Sequence, residues 1–289
     1  MPSGGTTRPT GNADWATIAG FGEEWESFDQ SALSEAEWRE LFERYFGIFP
    51  WDSLPASAEG FDLGCGSGRW ALGVAGRVGT LHCIDPSKKA LGVARRRLAG
   101  CANASFHHAP ADAIPLPDAS QDFGYTLGVL HHIPDTAAAL RACTAKLKPG
   151  APFLLYIYYA FDNRPAWFRA LWHAADLVRR VVCRLPFVLR KAVSGLIAAL
   201  AYWPLARLSR LLEAIGLGVG NFPLSAYRKS SFYSMRTDAL DRFGTRLEQR
   251  FTRAQVAAMM EAAGLEAIRF SETVPYWVAI GRRSQRSGG

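Results

Sequence analysis

Residues 61–70 read Phe-Asp-Leu-Gly-Cys-Gly-Ser-Gly-Arg-Trp, so Gly64, Gly66 and Gly68 stand at every second position behind Asp62. Glycine at this density lets the backbone approach a ligand closely, because no Cβ stands in the way. Three chemistries compete for such a loop. A phosphate loop needs Gly-Lys-Ser/Thr after its glycines, and this chain continues Gly68-Arg69-Trp70. A dinucleotide fingerprint places its third glycine one residue later than Gly68. Asp62 would repel a pyrophosphate but attract an ammonium group.

S-adenosylmethionine (SAM) is a ligand of the remaining kind, with an ammonium, a sulfonium and no phosphate. Asp85, in "HCIDPS" and 21 residues after Gly64, is placed to accept from both ribose hydroxyls. Asp112, in "APADAIPLPD", can take the adenine amine. As plain structural residues, Asp62 would be a strand-end acid, Asp85 a helix N-cap and Asp112 a solvated loop acid. His131 and His132 follow a predicted strand beside where the methyl should point, and histidine titrates in the range of a general base. The other reading of that pair is one ring capping a turn and one packing on the sheet. Tyr156 and Tyr158 share a face of a predicted strand by alternation and either line an acceptor pocket or cover the sheet. Arg228, Tyr233 and Arg236 lie in a polar, aromatic stretch read as a surface loop, where they could bind an anionic acceptor or simply be solvated. No His, Cys or Asp cluster has metal spacing, so no metal is predicted.

The elements that must position these residues alternate. Strands are predicted at "GFDL", "TLHCID", "ASFHHA", "DFGYTLG" and "PFLLYIYY", with helices between them. After about ninety residues a helix "TRAQVAAMMEAAG" and the strands "LEAIRFSE" and "YWVAIGRR" complete the pattern, the last two as a hairpin with one antiparallel strand. This alternation predicts a doubly wound α/β sheet, mostly parallel. The domain reading is an aromatic cap over 1–50 with a loose tail over 1–13, a core over 51–160, a helical insertion over 161–250 and a closing helix and strand pair over 251–289.

"FDLGCGSG", "CIDPS", "ADAIPLPDASQDFGYTLGVLHHIPD" and "LKPG", in this order and spacing, resemble the class I SAM-dependent methyltransferases, nearest the ubiquinone/menaquinone and small-molecule branch. The resemblance covers roughly 58–160 and 250–283. It implies a seven-stranded Rossmann-like fold. It implies that Asp62, Gly64, Gly66 and Gly68 surround the methionine part of SAM, Asp85 the ribose, and Asp112 and Ala113 the adenine, with Leu127 meeting the methionine amine through its backbone. Ala151 departs from the second glycine many members carry after Pro149-Gly150.

The net charge of +7 is concentrated. Residues 164–213 hold nine basic residues against Asp176 and Glu213. Within them Trp167, Leu171, Ala174, Val178, Val181 and Leu185 fall on one helical stripe, Pro186 ends that helix, and a second, more apolar helix runs to about residue 203. Its uncharged run is shorter than the roughly 20 residues a span needs, so a transmembrane helix is not expected. The insert reads first as a lid with its apolar stripe toward the sheet edge and its arginines in water, and otherwise as a peripheral patch on acidic lipid or a homodimer surface. Five scattered cysteines and the absence of an apolar leader suit the cytoplasm. The expected activity is methyl transfer to a small molecule of natural-product, quinone or lipid-linked sugar type, oxygen slightly favoured over carbon. An RNA methyltransferase and a non-catalytic SAM-binding protein are the alternatives. No nucleic acid partner is expected, because the basic residues sit on amphipathic helices.

Overall fold

The computed structural model describes residues 11–285. The rest of the expected tail and the last four residues lie outside the described residues. The chain opens with α1 (Trp15–Ser27) and α2 (Glu35–Phe46). The core then alternates β1 (Glu59–Leu63), α3 (Ala71–Ala75), β2 (Thr80–Asp85), α4 (Lys88–Arg97), β3 (Ala104–His108), β4 (Phe123–Leu127), α5 (Thr136–Lys146) and β5 (Pro152–Tyr156). Four helices follow: α6 (Ala166–Val182), α7 (Phe187–Ile197), α8 (Trp203–Ala214) and α9 (Phe232–Gly244). Helix α10 (Arg253–Ala262) and strands β6 (Leu265–Phe270) and β7 (Val278–Arg283) close the chain.

The sheet order is β3-β2-β1-β4-β5-β7-β6. Strands β1 to β5 pair in parallel, and β7 runs antiparallel between β5 and β6. Strands β4 and β5 are buried along their whole length, which is why "FGYTL" and "PFLLY" carry no charge and do not alternate. The strand order reverses between β1 and β4, and the loops leaving those two strands open a crevice at their carboxyl ends. Local chemistry fixes the helices that follow. Ser87 caps α4 by accepting from the Ala90 amide, and Asp135 caps α5 by accepting from the Ala138 amide at 2.8 Å.

Three expectations are corrected here. Residues 11–13 are not a tail: the Asn12 side chain both donates to the Asp135 carbonyl and accepts from its amide, each at 2.7 Å. The stretch containing Tyr233 and Arg236 is not a loop but α9, N-capped by Ser231, with Met235, Ala239 and Leu240 buried against the insert. The second insert helix does not stop near 203. Phe187–Ala214 is one continuous helix of 28 residues, apolar and long enough to cross a bilayer by length and composition. A π turn at Ala198–Tyr202 absorbs Pro204 in the turn that follows, so the proline bends the path without ending it.

The lid geometry is also overturned. On α6 the stripe residues Trp167, Leu171, Val178 and Val181 are exposed, while Arg179 turns inward. Its guanidinium donates to the Thr245 and Arg246 carbonyls and pairs with the buried Asp176 at 2.7 Å. An arginine that satisfies two carbonyls and a buried carboxylate holds the inner face, and this leaves the apolar stripe outward.

Candidate active site

The site grows from the crevice. Gly64 and Gly66 adopt left-handed φ of +74° and +53°, and a Cβ at Gly66 would lie 2.9 Å from the Trp25 indole nitrogen. Asp85, at the end of β2, ties the loop to its own strand. One carboxylate oxygen accepts from the Gly66 amide at 3.0 Å and the other from the Ser87 amide at 2.8 Å. Burial pushes Asp85 up to about 6 against the lowering effect of those two bonds.

Two cavities meet at this edge. The smaller, of about 110 Å³, is lined by Gly64, Asp85, Leu127, Gly128 and His132 and roofed by Phe21 of α1. The larger, of about 270 Å³, is walled by Tyr45, Tyr156, Tyr158 and Tyr227, with the carboxyls of Glu24 and Asp241. Phe21, Trp25, Leu127 and Gly128 border both, so the two spaces share a wall at the carboxyl end of β4.

The smaller cavity suits SAM. Asp62 is buried with its Oδ2 lacking any partner, and burial, first among the causes, pushes it up to about 8. Asp62, Gly66 and Gly68 lie behind the cavity wall and do not line it; an unpaired buried carboxyl beneath the glycine loop is still a group that a cation such as the methionine ammonium would pair with. Asp85 offers the ribose an acceptor, and Leu127 offers its backbone. This makes a test possible without an acceptor. Asp62's folded value lies above the ordinary carboxylate value, so the folded state holds the extra proton between about pH 4 and 8. Its effect on stability is absent below that window and becomes a penalty as pH rises through it. Asp62→Asn should therefore leave the melting temperature of the SAM-free protein nearly unchanged at about pH 5 and raise it by several degrees at about pH 9. The same variant should lose most of the stabilisation that SAM gives the wild type. A melting difference that does not vary with pH would refute the assignment.

Other expected residues are placed differently. Asp112 does not line the cavity; its Oδ2 accepts from the Asn12 amide at 2.7 Å, and Ala113 beside it is exposed. The carboxylate that the resemblance assigned to adenine is thus engaged by the segment entering α1. Arg228 pairs with Glu213 at 2.8 Å, Tyr233 accepts from the Gln30 amide, and Arg236 lies over the Phe28 ring. None of the three lines the larger cavity: Arg228 precedes α9 and turns to Glu213 of α8, while α9 turns Tyr233 and Arg236 toward the segment that follows α1. Tyr156 and Tyr158 do line it.

The histidines separate. His131 is fully buried, stacked on Tyr158 with ring centroids 3.8 Å apart, and its Nδ1 accepts from the Tyr158 amide. It borders neither cavity and cannot serve as a base for an acceptor. His132 packs on Phe21, and its Nδ1 meets the Leu247 carbonyl at 2.7 Å. Burial pulls it down to about 4, so it is neutral, with its unpartnered Nε2 standing 3.9 Å from Asp241 Oδ1.

Sequence reading missed Glu24 and Asp241. Both have a buried, unpartnered carboxyl oxygen. Burial raises both, and each is raised further by neighbouring carboxylates; Asp241 reaches about 7. The Tyr158 hydroxyl donates to Asp241 Oδ2 at 2.7 Å. The available signal was the i, i+3 pair Asp238 and Asp241, which shares a face only once the segment is known to be helical.

A family model described as a methyltransferase domain matches residues 61–150. A ubiquinone biosynthesis O-methyltransferase from Aromatoleum aromaticum is 35% identical over 105 residues, 36% of this chain and 43% of that protein. A demethylmenaquinone methyltransferase from Bacillus licheniformis is 29% identical over 102 residues, 34% and 44% of the two chains. The chain thus spans less than half the length of these curated relatives. Among solved structures, the DhpI complex with S-adenosylhomocysteine superposes with a TM-score of 0.55 at 11% identity, covering 94% of this chain and 97% of that one. The matched span supplies the strand-end residues of the smaller cavity, from Leu63 to Ile133, and over it this chain carries a methyltransferase domain similar to those of the class I SAM-dependent enzymes.

Proposed function

We propose that this protein transfers a methyl group from SAM to a hydroxyl of a small aromatic acceptor held in the larger cavity. The observation that carries the reading is the shared wall: one cavity suits SAM, the other is an aromatic box with an ionisable carboxyl, and they meet at Leu127 and Gly128. Tyr45, Tyr156, Tyr158 and Tyr227 present ring faces and edges suited to a planar acceptor. The O-methylating relatives on the same branch agree with a hydroxyl acceptor.

When bound, SAM supplies an electrophilic sulfonium methyl. The chain's own part is to hold the acceptor oxygen close and aligned, and to take its proton. Alignment of this kind supplies roughly 7–11 kcal/mol in favourable cases. Asp241 is suited to the proton: its Oδ1 is unpartnered, its Oδ2 is fixed by Tyr158, and its value near 7 leaves a working fraction ionised at neutral pH. Glu24, kept protonated by burial and by the carboxylates of Asp241 and Asp238, does not compete for that role. Neutral His132 can accept a hydrogen bond at the wall between the cavities.

Methyl-labelled SAM incubated with the protein and fractionated extract of its source tests the proposal. The expected product is a labelled small organic molecule whose label is lost as an O-methyl group. Label recovered in RNA, or in no fraction despite tight SAM binding, would overturn it.

A further inference from the structure

The described residues expose 17 large hydrophobic side chains, and 14 of them lie between residues 167 and 217. Twelve occupy the outer faces of α6 and of the long helix Phe187–Ala214, and Ile215 and Leu217 follow that helix directly. Val188, Leu200 and Ile215 are each more than 70% exposed. Patches of this extent mark a partner surface in a folded protein.

The charges around the patch identify the partner's chemistry. Asp176 is held by Arg179 and Arg180, and Glu213 by Arg228, so both acids of residues 164–213 are already matched. Arg169, Arg184 and Arg210 are exposed, and no ion pair to an acid is found for any of them among the described residues. A second copy seated on this face would bring arginines against arginines with no acid to offset them. A surface with a dense negative charge over an apolar interior complements both features at once.

We infer that α6 and the Phe187–Ala214 helix form an interfacial surface that binds an anionic lipid bilayer, apolar side chains entering the acyl boundary and Arg169, Arg184 and Arg210 meeting headgroup phosphates. The helix lies along the bilayer and does not cross it. Its other side, Ser194, Ala198, Tyr202, Ala206 and Ser209, is buried against the domain, and Tyr202 hydrogen-bonds Asp238 of α9 at 3.1 Å. Crossing would strip the Tyr202 hydroxyl of its partner and uncover the side now packed on the domain. The same insert supplies Arg164, Phe168 and Tyr227 to the larger cavity, so the bilayer-facing layer also borders the acceptor space. The inference is independent of the acceptor's identity.

The test is co-sedimentation with phosphatidylcholine vesicles containing about 30% phosphatidylglycerol, compared with pure phosphatidylcholine, at about 50 and 500 mM salt. Wild type should bind the anionic vesicles at low salt, and the bound fraction should fall about tenfold at high salt or on neutral vesicles. Leu196→Glu/Leu200→Glu and Arg169→Glu/Arg184→Glu should each lower it by a similar factor, with unchanged melting and SAM binding showing that both fold. Wild type left in the supernatant with anionic vesicles at low salt overturns the inference. So does a concentration-dependent dimer, abolished by Leu196→Glu/Leu200→Glu, in a protein that ignores vesicles. Binding that resists alkaline extraction would overturn the interfacial mode in favour of a span.

Discussion

Asp241→Asn should lower kcat for the labelled acceptor by about 10²–10⁴-fold while leaving the SAM dissociation constant within about twofold. Asparagine keeps the shape and can still accept from Tyr158, so the cavity wall survives. What it lacks is a group that can be ionised to receive the acceptor's proton. The sign of the pH dependence follows from Asp241's raised value. The base works only when ionised, so the wild-type rate should climb as pH rises through about 7 and then level. The Asn variant should lose that limb. The midpoint of that limb is set first by burial of Asp241 and then by the Asp238 and Glu248 charges that raise it further. Glu24→Gln should leave the midpoint nearly in place, since burial already keeps Glu24 neutral and a neutral amide replaces a neutral carboxyl. Initial rates across about pH 5.5 to 9 check both variants. A variant Asp241→Asn that keeps both its rate and its pH limb would exclude Asp241 as the proton acceptor.

Asp85→Ala should weaken SAM binding by about 10- to 150-fold, the equivalent of roughly 1.5–3 kcal/mol for hydrogen bonds to a charged group. The effect has two sources. The carboxylate is lost as an acceptor for the ribose hydroxyls, and the Gly66 and Ser87 amides lose the group that holds the glycine loop against β2. Asp85→Asn separates them, because one amide oxygen can still hold one of the two backbone donors. An intermediate loss is expected. The wild type should itself bind SAM less tightly as pH falls through about 6, where Asp85 gains its proton. Calorimetry on folded variants, with melting curves as control, measures both effects. Undiminished affinity in Asp85→Ala would remove the ribose assignment.

The core of the protein was legible in its sequence. Alternating strands and helices specify a parallel sheet because buried parallel strands need helices on both faces. The glycines and Asp85 could be placed because they belong to one local unit, strand, loop and strand, whose geometry is set by neighbours close in the chain. Trp38, Leu41, Phe42 and Tyr45 stand at helical spacing, and α2 forms there. Tyr156 and Tyr158 line one cavity, as alternation predicts, although β5 itself ends at Tyr156.

Only the tertiary structure decided which side of each added element faces inward. On α6 the hydrophobic stripe predicts a helix but not its orientation, and Arg179, bound to Asp176 and to two carbonyls of the segment after α9, settled it against the usual rule. The proline at 204 reads as a stop in isolation, yet packing on α9 carries the helix through it. His131 and His132 are adjacent in sequence but differ in fate, because Tyr158 stacks flat on His131 and meets His132 only edge-on, which leaves His132 at the smaller cavity. Glu24 and Asp241 are more than two hundred residues apart and were silent in the sequence. Their chemistry arises from sharing a buried cavity, where burial raises both and the Asp241 charge raises Glu24 further, and no local pattern encodes a juxtaposition made by packing α1 against α9.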